Sequence, residues 1–249
     1  MLLNTLWIGK ELGPVHTACL RSMMRQGHEV VLHSYGAPHD LPAGVKLFDA
    51  NKLMSESEIF RHKETGSLTL ASDRYRYRIL REGMGPYVDC DVYFLKPLPD
   101  REYILGWQTD VEINNAVLGA PYDSDLVKGL LSASNDQYFI PPWINNKKQG
   151  KLRLRKKVGF PKHVSEQPWG TIGPILLTHL VNELGLNSSV QDSDIFYPLS
   201  WDQLNLLYVD GLTIYDLSTP RTVGVHLYNS ALKMENIKPG TPIYDVIAT

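Results

Sequence analysis

Apolar residues alternate along this chain between short β-branched runs and stretches with helical spacing. Residues 2–8 read as a buried strand closed by Gly9. Residues 15–25 read as a helix in which Leu20, Met23 and Met24 share a face, stopped by Gly27. The run HEVVLHSY at 28–35 predicts a second strand, so the chain opens β-α-β, which favours a right-handed crossover between parallel strands. A turn at 41–44 and a short strand at 45–48 follow. Residues 67–82 predict a helix with Leu68, Ala71, Tyr75 and Ile79 on one face, ended by Gly83 and Gly85. Residues 87–95 read as a strand interrupted by Asp89 and Asp91. Further strands are expected at 103–107, 113–118, 195–198 and 222–228. Further helices are expected at 124–133, N-capped by Asp123, and at 175–184, stopped by Gly185. Alternation without internal repeats predicts an α/β domain on a mostly parallel sheet flanked by helices. Ligands of such sheets sit beyond the carboxyl ends of the strands.

Length and composition sharpen this only a little. A chain of 249 residues suits one compact domain, and 43% hydrophobic with 21% charged residues is ordinary for a soluble protein. The net charge of −2 offers no global field for nucleic acid. Two cysteines, Cys19 and Cys90, cannot staple a domain of this size, so a reduced, cytoplasmic setting is expected. The N-terminal segment lacks the basic region and cleavage site of a signal peptide. No stretch approaches the roughly 20 apolar residues that span a bilayer.

The tripeptide Asp89-Cys90-Asp91 carries the main chemical signal. In an extended segment residues i and i+2 point to one side, so two carboxylates share a small volume and repel. A divalent cation removes that conflict, and carboxylate oxygens suit Mg²⁺ or Mn²⁺. The diphosphate of a nucleotide-sugar would complete the shell, and the cation would stabilise charge on the leaving group. Two more such tripeptides, Asp123-Ser124-Asp125 and Asp192-Ser193-Asp194, border predicted elements and read as turn or cap residues.

Context separates the first pair from the others. Ser72-Asp73-x-x-Arg76-Tyr77 is followed by Gly83-x-Gly85-x-Tyr87-x-Asp89-x-Asp91 and then Leu95-Lys96-Pro97-Leu98. This series resembles the DXD-type sugar transferases, which include family 32 glycosyltransferases and related capsule and α-galactosyl or α-mannosyl transferases. Leu6-Trp7-Ile8-Gly9, Gly27-His28-Glu29-Val30 and His226-Leu227-Tyr228-Asn229 extend the likeness from about Leu6 to Asn229. The resemblance implies a single GT-A type domain over residues 1–249. Residues 1–100 would form a Rossmann-like nucleotide-sugar-binding half, and residues 101–249 an acceptor-binding half. It implies a UDP- or GDP-sugar donor, a saccharide or glycolipid acceptor, and transfer of a hexose with retention. It also implies Mn²⁺ or Mg²⁺ on Asp91, assisted by Asp89 and His226. Two departures stand out. Gly83-Met84-Gly85-Pro86 replaces the family's Gly-Gly, which is expected to alter the loop approaching the metal, and Tyr228 replaces its late tryptophan.

Other candidates carry two readings each. Asp73 and Arg76, three apart on one helix face, form either a surface ion pair or contacts to the donor's sugar and diphosphate, with Tyr77 beside them. Trp7 is either core or a neighbour of the nucleobase. His226 is either a satisfied core histidine or, by the resemblance, a metal ligand. Asn114 and Asn115 interrupt an apolar strand, where Asn is disfavoured. They mark either a turn or amides that fix sugar hydroxyls, with Gln108 on the same rim. Trp169, Gly170 and Gly173 lead into a Pro-started helix, and by the resemblance they shape the donor and acceptor cleft. Glu112, Glu166 and Asp202 are possible cleft carboxylates. Residues 147–162 are densely basic and read as a solvated loop or as a contact for an anionic acceptor or an acidic membrane surface.

Two other functions compete. A haloacid dehalogenase-type phosphotransferase also follows an apolar strand with Asp-x-Asp, but near its N-terminus and with a downstream Gly-Asp-x-x-x-Asp that this chain lacks. A non-catalytic nucleotide-sugar-binding module would bind donor without turnover.

Overall fold

A computed structural model describes all 249 residues. Strand β1 (Leu2–Trp7) is an interior strand of the sheet. Its residues are buried on both faces, as parallel strands covered by helices are. Leu3 packs with Leu20 and Met23 of α1 (Gly13–Arg25), while Leu6 packs with Ala71, Tyr75 and Ile79 of α2 (Thr69–Arg81). The two helices therefore cover opposite faces. β2 (Glu29–Ser34) pairs in parallel with β1, and β3 (Lys46–Asp49) in parallel with β2.

The chain then crosses by α2 to the other side of β1, where β4 (Tyr87–Val88) pairs in parallel with it. β6 (Ile104–Trp107) and β7 (Ile113–Gly119) follow, with β7 antiparallel to both β4 and β6. β8 (Val190–Gln191) closes the far edge in parallel with β6. The seven-stranded order is β3-β2-β1-β4-β7-β6-β8, mostly parallel, with α3 (Asp125–Asn135) and α5 (Pro174–Glu183) packed on the α2 side. β5 (Val92–Phe94) and β9 (Gly224–His226) form a separate antiparallel ribbon, and α6 (Pro242–Ala248) packs beneath it beside α1. This α/β architecture with a mostly parallel, helix-flanked sheet is the one expected.

Several expectations change in detail. The single strand at 87–95 is two strands in two sheets. Val92 donates its N–H to the Asp89 carbonyl (3.2 Å), so Asp89-Cys90-Asp91 is a turn rather than extended chain. Ser124, not Asp123, caps α3, accepting from the Val127 N–H. The basic stretch is a helix, α4 (Asn146–Lys157), capped by Asn145. Residues 195–198 form no strand: Ser193–Ile195 is one 3₁₀ turn, and Phe196 and Tyr197 drop into the core from it. β8 and α6, too short or too weakly patterned to predict, complete the edges.

Gly83 and Gly85 do not approach the acidic pair. They precede β4, and Gly85 packs against the start of β1, where Asn4 Nδ2 donates to the Met84 carbonyl (2.9 Å). Gly85 has φ +109°, and a Cβ there would lie 2.9 Å from the Leu2 carbonyl oxygen. Gly85→Ala is expected to destabilise the fold by about 3 kcal/mol, measured by denaturant unfolding, because strain and backbone overlap add.

Candidate functional site

The acidic turn sits at the carboxyl end of β4, where the sheet order reverses around β1, the place open α/β sheets keep for ligands. Cys90 anchors the turn. Its Sγ points into the core, 3.0 Å from Thr5 Oγ1 and 3.2 Å from the Leu6 carbonyl, which sends Asp89 and Asp91 the other way.

Pairing registers bring the rest. β9 runs antiparallel to β5 with Val92 opposite His226, so the imidazole arrives beside the carboxylates. His226 Nε2 lies 3.3 Å from Asp91 Oδ1, and potential ligand atoms of Asp89, Asp91 and His226 all fall within 4.8 Å of one another. β7 runs antiparallel to β4, which carries its amino end, with Asn114 and Asn115, back to the carboxyl end of β4. The Asp89 N–H donates to the Ala116 carbonyl there (2.7 Å).

Asp89 is oriented from behind. Arg76 donates from Nη2 to Asp89 Oδ1 (3.1 Å) and from Nη1 to Oδ2 (3.4 Å), and the Tyr87 hydroxyl donates to Oδ1 (2.7 Å). Arg76 is buried, stacks over the Tyr87 ring at 4.5 Å, and spends its remaining donors on the Asn115 carbonyl (2.6 Å) and on Ser72 Oγ (2.8 Å). Its role is to position Asp89. Burial works against its charge, but Asp89, Tyr87 and Asp73 outweigh that and keep it protonated. For Asp89 itself, burial raises the carboxyl, Arg76 opposes this, and Asp91 adds to it, leaving a net upward shift. Asp91 goes the other way. Burial pushes it up, but His226 and the Asn229 N–H, which donates to Oδ2 at 2.9 Å, hold it well below the usual carboxylate range. Tyr228 makes that donor possible: its φ of +49° turns the chain so that Asn229 meets Asp91. A left-handed non-glycine at such a place is strain stored at a site.

The donor set fits a divalent cation. Two carboxylates and one imidazole converge, one carboxylate is already anionic, and the other is held in place by charged and hydroxyl donors behind it. His226 Nδ1 is buried without a partner.

Beside this cluster lies a cavity of about 590 Å³. Of the residues singled out from the sequence, Asp73, Arg76, Asp89, Gln108, Asn114, Asn115, Trp169 and His226 line it. Asn114 donates to Gln108 Oε1 and accepts from the Ala116 N–H (2.7 Å). Asn115 Nδ2 donates to Asp73 Oδ1 (2.8 Å). Tyr77 lies behind that wall, fully buried, its hydroxyl on the Ile172 carbonyl (2.8 Å). Gly173 abuts Asp73, and a Cβ there would sit 2.5 Å from Asp73 Oδ2, so only glycine fits. Gly170, at φ +79°, makes the turn that leads Trp169 into α5. Trp7 stands apart at the carboxyl end of β1, packed against His16 with ring centres 4.5 Å apart and planes tilted by 50°, and does not line this cavity. None of Glu112, Glu166 and Asp202 lines it either. Glu166 pairs with Lys63, and Asp202 accepts from Ser200 Oγ. The other two acidic tripeptides are spent locally: Asp125 pairs with Lys128, and Asp192 and Asp194 with Arg221.

Several lining residues carried no assigned role in the sequence: Trp201, Tyr228, Ser230 and the hydroxyls of Thr65, Ser67 and Thr69. Trp201 is 57% exposed and meets the Tyr228 ring edge-on at 5.5 Å.

No protein-family model matches the chain, and no curated protein matches it. Among solved structures, a transferase carrying two cysteine substitutions is similar over 68% of this chain and 88% of its own, at 12% identity and a TM-score of 0.36. A likeness that loose bears on neither fold nor activity.

Asp73 supplies a test of the cavity wall. Burial, opposed by Arg76 and Asn115, pushes its carboxyl from 3.8 up to about 6. A carboxyl raised by folding favours the protonated fold. Its contribution is fully present below about pH 4 and is lost as pH rises through about 6. Relative to wild type, Asp73→Asn should therefore gain about 3 kcal/mol of stability between those pH values, then plateau. Thermal unfolding of both proteins across that range measures it.

Proposed function

We propose that this protein is a divalent-metal-dependent glycosyltransferase that moves a hexose from a nucleoside diphosphate sugar to a saccharide or glycolipid acceptor, with retention of configuration. The observation that carries this reading is the convergence of Asp89, Asp91 and His226 beside a cavity walled by amides and exposed aromatic rings.

In this reading Asp91, Asp89 and His226 hold Mn²⁺ or Mg²⁺. The bound cation supplies neutralising charge for a diphosphate leaving group. The chain's own residues do the rest. Arg76 and Tyr87 fix the Asp89 carboxylate. Asn115, whose side-chain oxygen has no protein partner, and Gln108, whose amide nitrogen has none, orient sugar hydroxyls. Asp73, buried in the wall, accepts from a hydroxyl of the donor sugar when ionised. The donor is assigned to the side built by residues 1–100, with the nucleoside toward the carboxyl end of β1 beside Trp7. Trp169 and Trp201, 50% and 57% exposed, flank the mouth from the 101–249 side and offer apolar faces to an acceptor saccharide.

The deciding measurement is donor hydrolysis across a panel of UDP- and GDP-sugars with Mn²⁺ and then EDTA. Release of nucleoside diphosphate from one donor, stopped by EDTA, is expected. Asp91→Ala should lower that release at least about a hundredfold while Mn²⁺ binding, read by electron paramagnetic resonance, is lost and the circular dichroism spectrum stays that of the folded protein. Trp201→Ala should raise the acceptor KM about tenfold with kcat unchanged. Donor binding without turnover in the presence of acceptors would make the protein a binding module. A trapped phospho-aspartate would make it a phosphotransferase, and inverted product by NMR would overturn retention.

A further inference from the structure

Helix α4 buries none of its residues. Between Gln137 and Ser165 the chain places eight of its 25 cations and none of its 27 carboxylates. One of those cations, Lys156, pairs with a carboxylate, that of Asp136 (3.2 Å). Like charges at i and i+4, such as Lys147, Lys151 and Arg155, oppose the helix they sit on, so the arrangement favours an external anion.

Charge is only half of the surface. Leu154, Val158 and Phe160 are 60%, 56% and 73% exposed in the midst of these cations. Leu154 and Val158 are four apart on one face, and Lys147 and Lys151 flank them on it. Phe160 is held beyond the helix end, its N–H on the Arg155 carbonyl (2.9 Å) and its own carbonyl accepting from Arg155 Nε (3.1 Å). Round the helix from that face, with Lys151 at the border, Lys148, Lys151, Arg155 and Lys162 line a cavity of about 350 Å³ together with Trp143 and Ile144.

A soluble polyanion would engage the cations and leave three apolar side chains in water. A neutral protein surface would cover the apolar side chains and leave the charge unmet. An anionic bilayer surface meets both requirements: apolar side chains enter the interface while the surrounding ammonium and guanidinium groups meet lipid phosphates. We propose that α4 and the turn through Phe160 dock this protein on an anionic membrane surface. No helix of the chain is long and apolar enough to cross a membrane. The inference does not rest on the transferase reading, because its test measures binding rather than turnover.

The experiment is co-sedimentation of the full chain with phosphatidylcholine vesicles, with and without phosphatidylglycerol, alongside binding to heparin as a soluble polyanion. Binding to the anionic vesicles and its loss at high salt are expected. Lys147→Gln with Lys151→Gln should weaken vesicle binding about 25-fold, at about fivefold per cation. Leu154→Ser, Val158→Ser and Phe160→Ser together should weaken vesicle binding at least about tenfold and leave heparin binding unchanged. All these positions are exposed, and unchanged circular dichroism confirms the fold. Equal binding to neutral and anionic vesicles, or no binding to either at low salt, overturns the proposal. So does a serine variant that binds vesicles like wild type, which would make the partner a soluble polyanion.

Discussion

A guanidinium taken out of water must find partners for every donor, and in this protein that requirement ties the site together. Arg76 is buried on α2, and its donors reach Ser72 on the same helix, Asp89 on the acidic turn and the Asn115 carbonyl on β7. One side chain thus fixes the mutual position of a helix, a turn and an antiparallel strand. Burying an ion is unfavourable unless its partners are in place, so loss of Asp89 leaves charge uncompensated, and loss of Ser72 or the Asn115 carbonyl leaves a buried donor unpaired. The Tyr87 ring beneath the guanidinium and its hydroxyl on Asp89 complete the support.

The support gives two neighbouring carboxylates different environments. Asp89 is braced from inside the fold by Arg76 and Tyr87, while Asp91 is met from the other sheet by His226 and the Asn229 N–H. Each thereby gains an orientation before any ligand arrives. That is how protein groups around a metal's ligands keep those ligands aimed. The left-handed backbone at Tyr228 belongs to the same device, since it is what turns the Asn229 N–H toward Asp91.

Two parts of the surface stay unsatisfied by the fold. The exposed rings of Trp169 and Trp201 frame the cavity, and α4 presents apolar side chains and cations to solvent, with Lys156 alone paired to a carboxylate. The exposed apolar groups in both are unfavourable in water. As proposed, the first faces an acceptor saccharide and the second a membrane surface.

Local pattern was enough for much of the molecule. The opening β-α-β unit, α2, α5 and the strands around Gly106 and Ala116 are legible because β-branched runs and helical spacing encode burial on one or two faces within a few residues. The acidic pair and His226 are legible through the family resemblance. Other features belong to pairing between distant segments. The turn at Cys90 exists because β5 pairs with β9 rather than continuing β4. Asn114 and Asn115 reach the site because β7 runs antiparallel to β4. Arg76 faces inward onto Asp89 rather than outward as a surface ion pair because α2 packs that face on the sheet. The helical state of α4 is invisible to hydrophobic periodicity, since a helix that buries nothing has no apolar stripe to read. Sequence by itself determined most of the segments that become strands or helices and drew attention to Asp89 and Asp91, because such patterns depend on neighbours a few positions away. Only the tertiary structure decided strand direction, register and the burial of Arg76, because these depend on contacts between residues up to about 140 positions apart, such as Asp91 and Asn229.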